Sequence, residues 1–141
     1  MEPQINTDEH RLNEISKTII GCAFTVSNAL GCGFLEKVYE NALAHEIRLT
    51  GLEVEQQKGI AVHYRAIIAG EYVADLLVAG CILVELKAVK ALDDIHLAQC
   101  LNYLKATEYP ICLLLNFGET KVKVKRMVND SYPCSSVFIC G

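Results

Sequence analysis

Apolar residues in the first third of the chain recur at spacings of three and four. Leu12, Ile15, Ile19, Cys22, Val26 and Leu30 fall on one helical face, with Thr7 or Asp8 placed to cap the helix. Gly31 stops it and Gly33 permits a sharp turn. Leu35, Val38, Ala42, Leu43 and Ile47 mark the buried side of a second helix, which Thr50-Gly51 ends. From Leu52 the period becomes two. Strands are predicted over 52–58, 60–68, 71–78 and 81–88, with Ala69-Gly70 as a hairpin turn and Ala79-Gly80 as the next, an antiparallel meander. Asp93 or Asp94 caps a third helix whose apolar stripe reads Ile95, Ala98, Leu101 and Leu104, and Pro110 marks its exit. Residues 111–117 are continuously apolar, the pattern of a strand covered on both faces. Over 121–127, Val122 and Val124 alternate with Lys121, Lys123 and Lys125, the pattern of an edge strand protected by charge. The order ααββββαββ predicts an α/β chain, a mixed α+β sheet with helices packed on it and one parallel crossover. Residues 1–128 form a single domain in this reading, and 129–141 a C-terminal tail.

Composition narrows the function classes. A chain of 141 residues that is 52% hydrophobic and 21% charged builds a core and is not disordered. No apolar run approaches the ~18 residues of a membrane span. The segment MEPQINTDEH is polar and acidic, unlike a secretory signal or a transit peptide, which points to the cytoplasm. Thirteen Lys and Arg against 17 Asp and Glu give a net charge of −4, so contact with a phosphate backbone falls to a local basic patch or a metal ion. The seven cysteines are odd in number, lack C-x-x-C and sit mostly in apolar stretches, where reduced thiols act as small hydrophobes. Cys134 and Cys140, in the tail, stand apart as candidate reactive thiols. Four scattered His form no zinc pattern, and P-loop, dinucleotide and G-x-S-x-G motifs are absent.

Chemistry concentrates in three places. Asp75, Glu85 and Lys87 interrupt an otherwise apolar stretch. Buried charges must pair or hold an ion. Glu85 and Lys87 share a strand face, and a three-residue loop, Ala79 to Cys81, would set Asp75 opposite Glu85. Two readings stand: an ion pair of Lys87 with Asp75 or Glu85, or two carboxylates seating Mg²⁺ beside an amine. On the second helix Glu36 and Tyr39 are three apart, either a solvated acid and a packed ring or two groups aimed at the carboxylates. On the third helix His96, Gln99 and Tyr103 make a polar stripe, either solvated or available to hold Lys87 or a phosphate.

Taken together, these residues resemble the GxxExxY family of the PD-(D/E)XK nuclease-like superfamily. The naming motif stands as Gly33-Phe34-Leu35-Glu36-Lys37-Val38-Tyr39, and the nuclease motif as Asp75, nine residues, then Glu85-Leu86-Lys87. Gln99 to Tyr103 is similar to a Q-x-x-x-Y element of several nuclease branches, and Leu113 to Gly118 with Lys125-Arg126 to the family's last strands. Ser27 stands where the family often has His, and Cys32 where Pro is usual. The resemblance implies a restriction-endonuclease-like core. It implies Mg²⁺ or Mn²⁺ held by Asp75, Glu85 and the Leu86 carbonyl, with Glu36 near the metal, Lys87 as the catalytic lysine, and Gln99 and Tyr103 in support. The expected activity is phosphodiester hydrolysis in DNA, or in RNA, by a metal-activated water. Lys121, Lys123, Lys125 and Arg126 are candidate phosphate contacts, or solvated edge charges. A chain this small would need a homodimer or a protein partner to grip a duplex. The competing expectation is a non-catalytic nuclease-fold module that binds nucleic acid or a protein.

Overall fold

The computed structural model describes the backbone of residues 2–129 and the side chains of residues 8–129. The rest of the tail, with Cys134 and Cys140, lies outside the described residues. Three helices and five strands follow in the order α1 (Glu2–Leu30), α2 (Glu36–Leu49), β1 (Val54–Tyr64), β2 (Ile67–Val78), β3 (Ile82–Lys87), α3 (Asp94–Lys105), β4 (Ile111–Asn116) and β5 (Lys123–Val128). The strands form one sheet in sequence order, antiparallel except where β3 and β4 run parallel. α3 is the crossover between those two.

The mixed α+β class stands, but with one strand fewer than the periodicity implied. The predicted strands 52–58 and 60–68 are one strand, because Gly59 stays in the ladder opposite Val73. The hairpin turns at Arg65-Ala66, with Arg65 at φ 55°, and not at Ala69-Gly70. The latter pair lies inside β2, where the register shifts between Val62 and His63. A bulge and a turn draw on the same small residues, so composition did not separate them. α1 likewise runs through positions 7 and 8 instead of starting there. Pro3 falls in its first turn, where a missing N–H costs nothing.

Each face of the sheet has its own core. α1 and α2 cover the larger cluster, in which Ile19, Leu43 and Ile47 pack on Leu76, Val84, Leu86, Leu113 and Leu115. α3 covers a smaller one, made with Leu77, Leu83, Cys112 and Leu114. Its buried side is Cys100 and Leu104 with Leu97, whereas Ile95 is 73% exposed and Ala98 is exposed. The expected stripe is therefore rotated by about one residue. Two adjacent faces of α3 are apolar, and the thiol of Cys100 counts among the buried groups. Asp93 caps α3 by accepting the N–H groups of Ile95 and His96, while His96 Nδ1 accepts the Asp93 N–H at 3.3 Å. His96 therefore serves the helix end, not a ligand. At the other end Asn129 is buried and donates to the carbonyls of Leu104, Thr107 and Tyr109.

Candidate active site

The β2–β3 hairpin decides the site. Leu76 pairs with Val84, Leu77 with Leu83 and Val78 with Ile82, around a loop of Ala79, Gly80 and Cys81. Ala79 and Gly80 both take positive φ, 54° and 68°. This register directs Asp75 toward Glu85, as the odd loop requires. The ladder ends just before that pair. Asp75 Oδ2 accepts the Leu86 N–H at 2.8 Å, so a carboxylate stands in for the missing strand carbonyl. On the other side of β2, Gln57 sits at φ 54° between the ladder pairs Gln56–Leu76 and Lys58–Ala74. Strand alternation breaks here: Tyr72 packs with the α3-side cluster, Leu76 and Val78 with the other.

The break separates the two carboxylates. Asp75 lies with Glu36, Lys37, Glu40, Gln57 and Leu86 around a pocket of about 270 Å³ under α2. Glu85 follows Leu83 on the α3 side. There it accepts a short hydrogen bond from the Tyr72 hydroxyl. Tyr72 stacks on Tyr103 at 3.9 Å between ring centroids. The two acids still feel each other. Burial, then the Asp75 charge, pushes Glu85 up to about 8, against the pull of the Tyr72 bond. Burial also raises Asp75, opposed by the Leu86 N–H. Tyr72 is pushed far up by burial and then by Glu85.

Lys87 shares the face of Glu85 and is half-buried. Among the described residues its ammonium has no hydrogen-bond or ion-pair partner, so the simple ion-pair reading does not hold. Tyr39 is turned away from the carboxylates. Its hydroxyl donates to the Gly31 carbonyl at 2.6 Å and accepts the Phe34 N–H at 3.2 Å, and its ring stacks on Phe117. It fastens the α1–α2 connection that delivers Glu36. Gln99 is on the exposed side of α3, and Glu36 is exposed at the start of α2. Lys121 and Lys123 line a separate groove. Lys125 is exposed on the face of Lys123, but Arg126 points the other way and donates to Asn13 Oδ1 at 3.0 Å. The four basic candidates are therefore not one patch.

Three residues of the site escaped the sequence reading. Glu40 is buried and accepts from Lys37, from Gln56 at 2.8 Å and from Gln57 at 2.8 Å. Its signal was the four-residue step from Glu36, which puts both acids on one helix face. Gln57 also reaches Asp75 Oδ1, at 3.4 Å. Neither Gln57 nor Tyr72 had a signal, since both depend on the strand break. Among the described residues, no group of three or more His, Cys, Asp or Glu gathers closely enough to form a metal cage.

No curated protein and no solved structure matches the chain. A protein-family model described as the PD-(D/E)XK nuclease superfamily matches residues 13–127, from α1 through β5 and including every side chain of the hairpin site. With most of its length so matched, the chain belongs to the PD-(D/E)XK nuclease superfamily.

Proposed function

We propose that this nuclease-like domain is a Mg²⁺-dependent phosphodiesterase acting on DNA or RNA, and that within its superfamily it is a GxxExxY protein. The observation that carries the reading is an unpartnered half-buried amine, Lys87, on the face of a carboxylate, Glu85, which burial and then a second carboxylate hold toward its neutral form. The donor set fits a hard dication. Both groups are carboxylates, and their burial and mutual repulsion are what a cation would relieve. Two acids suffice for Mg²⁺, which keeps several waters of its own. Asp75, Glu85 and the Leu86 carbonyl would hold the ion, with Glu36 at the pocket rim; Glu85 would first leave the Tyr72 hydroxyl and turn toward Asp75. When bound, it would polarise a phosphoryl oxygen and acidify water.

The protein's own side chains would do the rest. Lys87 offers positive charge where negative charge develops on the phosphoryl group. Without the metal Glu85 keeps its proton up to about 8, so the cation must displace that proton to bind. Tyr72, backed by Tyr103, holds the Glu85 carboxyl while no metal is bound, and the Leu86 N–H fixes Asp75. Gln99 would meet substrate from the exposed side of α3. A cytoplasmic setting suits the free thiols Cys22, Cys32, Cys81, Cys100 and Cys112.

Cleavage of a plasmid and of a labelled oligonucleotide, with Mg²⁺ and with chelator, tests this. Wild type should cut only with the metal, and Lys87→Ala should be slower by about 100-fold or more. Equal rates for the two would end the catalytic assignment. The alternative, a module that binds nucleic acid or a protein without turnover, draws on one observation: Tyr72 already occupies a Glu85 oxygen. It predicts no Mg²⁺ uptake by calorimetry, or equal uptake by wild type and Asp75→Asn.

A further inference from the structure

A groove of about 650 Å³ opens beyond the carboxylates, at the end of the sheet where β3 and β4 finish. Lys90, Lys121 and Lys123 line it, together with the backbone turn at Gly118–Thr120. None of the three ammonium groups has an ion-pair or hydrogen-bond partner among the described residues. The acid on its wall, Glu119, is tied to Asn116 Nδ2 at 2.8 Å. In a chain of net charge −4, three unpaired cations around one concavity run against the average charge. Their mutual repulsion is relieved by an anion.

The groove is in line with the site. Lys87 pairs with Asn116, and Asn116 with Lys123, so the three form one row across three neighbouring strands. Residues of one row share a face, and strand spacing sets Lys123 on the order of 10 Å from Lys87. Lys90 follows three residues after Lys87. The walls are also fixed in place. Asn116 is fully buried; its Oδ1 accepts the N–H groups of Val89 and Gly118, both at 3.0 Å, and its Nδ2 donates to the Val89 carbonyl at 2.9 Å. A Cβ at Gly118 would collide with the Val89 backbone, so the two loops touch main chain to main chain. Lysines on clamped loops present charge without first ordering the chain.

We infer that this groove is a second phosphate subsite, which grips the backbone of a nucleic-acid strand next to the phosphate held at Lys87. The inference rests on the proposed nuclease reading for its ligand class and adds the path of the strand. A ligand with phosphates at successive positions can span both places, whereas a lone phosphate ester cannot. Recognition here is of charge and spacing, without base contacts, so affinity should fall steeply with salt.

The test is fluorescence anisotropy of labelled oligo-dT and oligo-U in chelator, across a salt series, with wild type, Lys90→Ala/Lys123→Ala and, as control, the exposed helix variant Lys105→Ala. The double variant should bind at least ~10-fold more weakly at low salt, and its log–log salt slope should shrink by about 1.4, the value for two lost single-strand phosphate contacts. Lys105→Ala should match wild type. In parallel, Mg²⁺-dependent hydrolysis of bis(p-nitrophenyl) phosphate, too small to span both places, should fall far less in the double variant than oligonucleotide cleavage does. The inference is overturned if the double variant binds oligonucleotide with wild-type affinity and slope, if wild type does not bind it, or if inorganic phosphate competes as well as the polymer at equal phosphate concentration. A wild type that hydrolyses neither substrate but loses binding in the double variant would defeat the nuclease reading and leave the subsite standing. Tighter binding of one oligonucleotide tells whether DNA or RNA is the strand it follows.

Discussion

Glu85 is pulled in two directions, and pH reads the balance. Its carboxyl stays protonated in the folded chain up to about 8, whereas the ordinary value is 4.5. Between those values the native protein keeps a proton that the unfolded chain has released. Stability of the metal-free protein must therefore fall as pH rises through that window and level off above it. Asp75, raised in the same direction, adds to the fall at its acidic end. Urea unfolding from pH 5 to pH 9 in chelator should show a loss on the order of 3 kcal/mol in wild type. Glu85→Gln should flatten most of it, and an equally steep profile in that variant would place the titration elsewhere. Asp75, Glu85 and Lys87 were legible because charge in an apolar run has so few explanations. Tyr72 was not, because pairing Asp75 with Glu85 and alternating strictly along β2 sets Tyr72 on the face away from Glu85. The unpaired Asp75 and the positive φ of Gln57 change that parity, and no side-chain pattern records a backbone twist.

Among the elements, β4 was the easiest to read and α3 the hardest. Every residue of β4 is buried, as an unbroken apolar run demands. α3 carries apolar side chains on adjacent faces, and periodicity alone favoured Ile95, Ala98, Leu101 and Leu104. Only Leu104 of these is fully buried, and Cys100 and Leu97 complete the contact. Truncation separates the faces. Leu104→Ala should cost about 2–5 kcal/mol through the cavity left under α3, and Ile95→Ala no more than about 0.5 kcal/mol. Equilibrium urea unfolding measures both, and a large loss at Ile95 would mean that α3 is turned from the orientation described. The orientation bears on function, because the same turn of α3 that buries Leu104 brings Tyr103 onto Tyr72 and leaves Gln99 exposed.

On the scale of the molecule, the larger core on the α1/α2 side and the smaller one under α3 lie on opposite faces of one sheet, and Asp75 and Glu85, one acid toward each face, mark the seam between them. The acids sit at the seam, where strand pairing has stopped and burial is still high. Keeping two carboxylates there works against folding, since each would be better solvated in the unfolded chain. A ligand that binds only the folded arrangement offsets this penalty, and the offset is a measurable linkage. Mg²⁺ at about 100 times its dissociation constant should add about 2.7 kcal/mol, roughly a 9 °C rise in melting temperature for a chain of this length. The rise should be larger at pH 8 than at pH 6, because the cation must displace the proton that Glu85 holds below about 8. Asp75→Asn should abolish the shift while melting cooperatively itself. Lys87→Ala should keep the shift or enlarge it, since removing a cation from the seam makes room for another. A melting temperature indifferent to Mg²⁺ at both pH values would mean that the seam takes up no metal, which is the state the non-catalytic module requires.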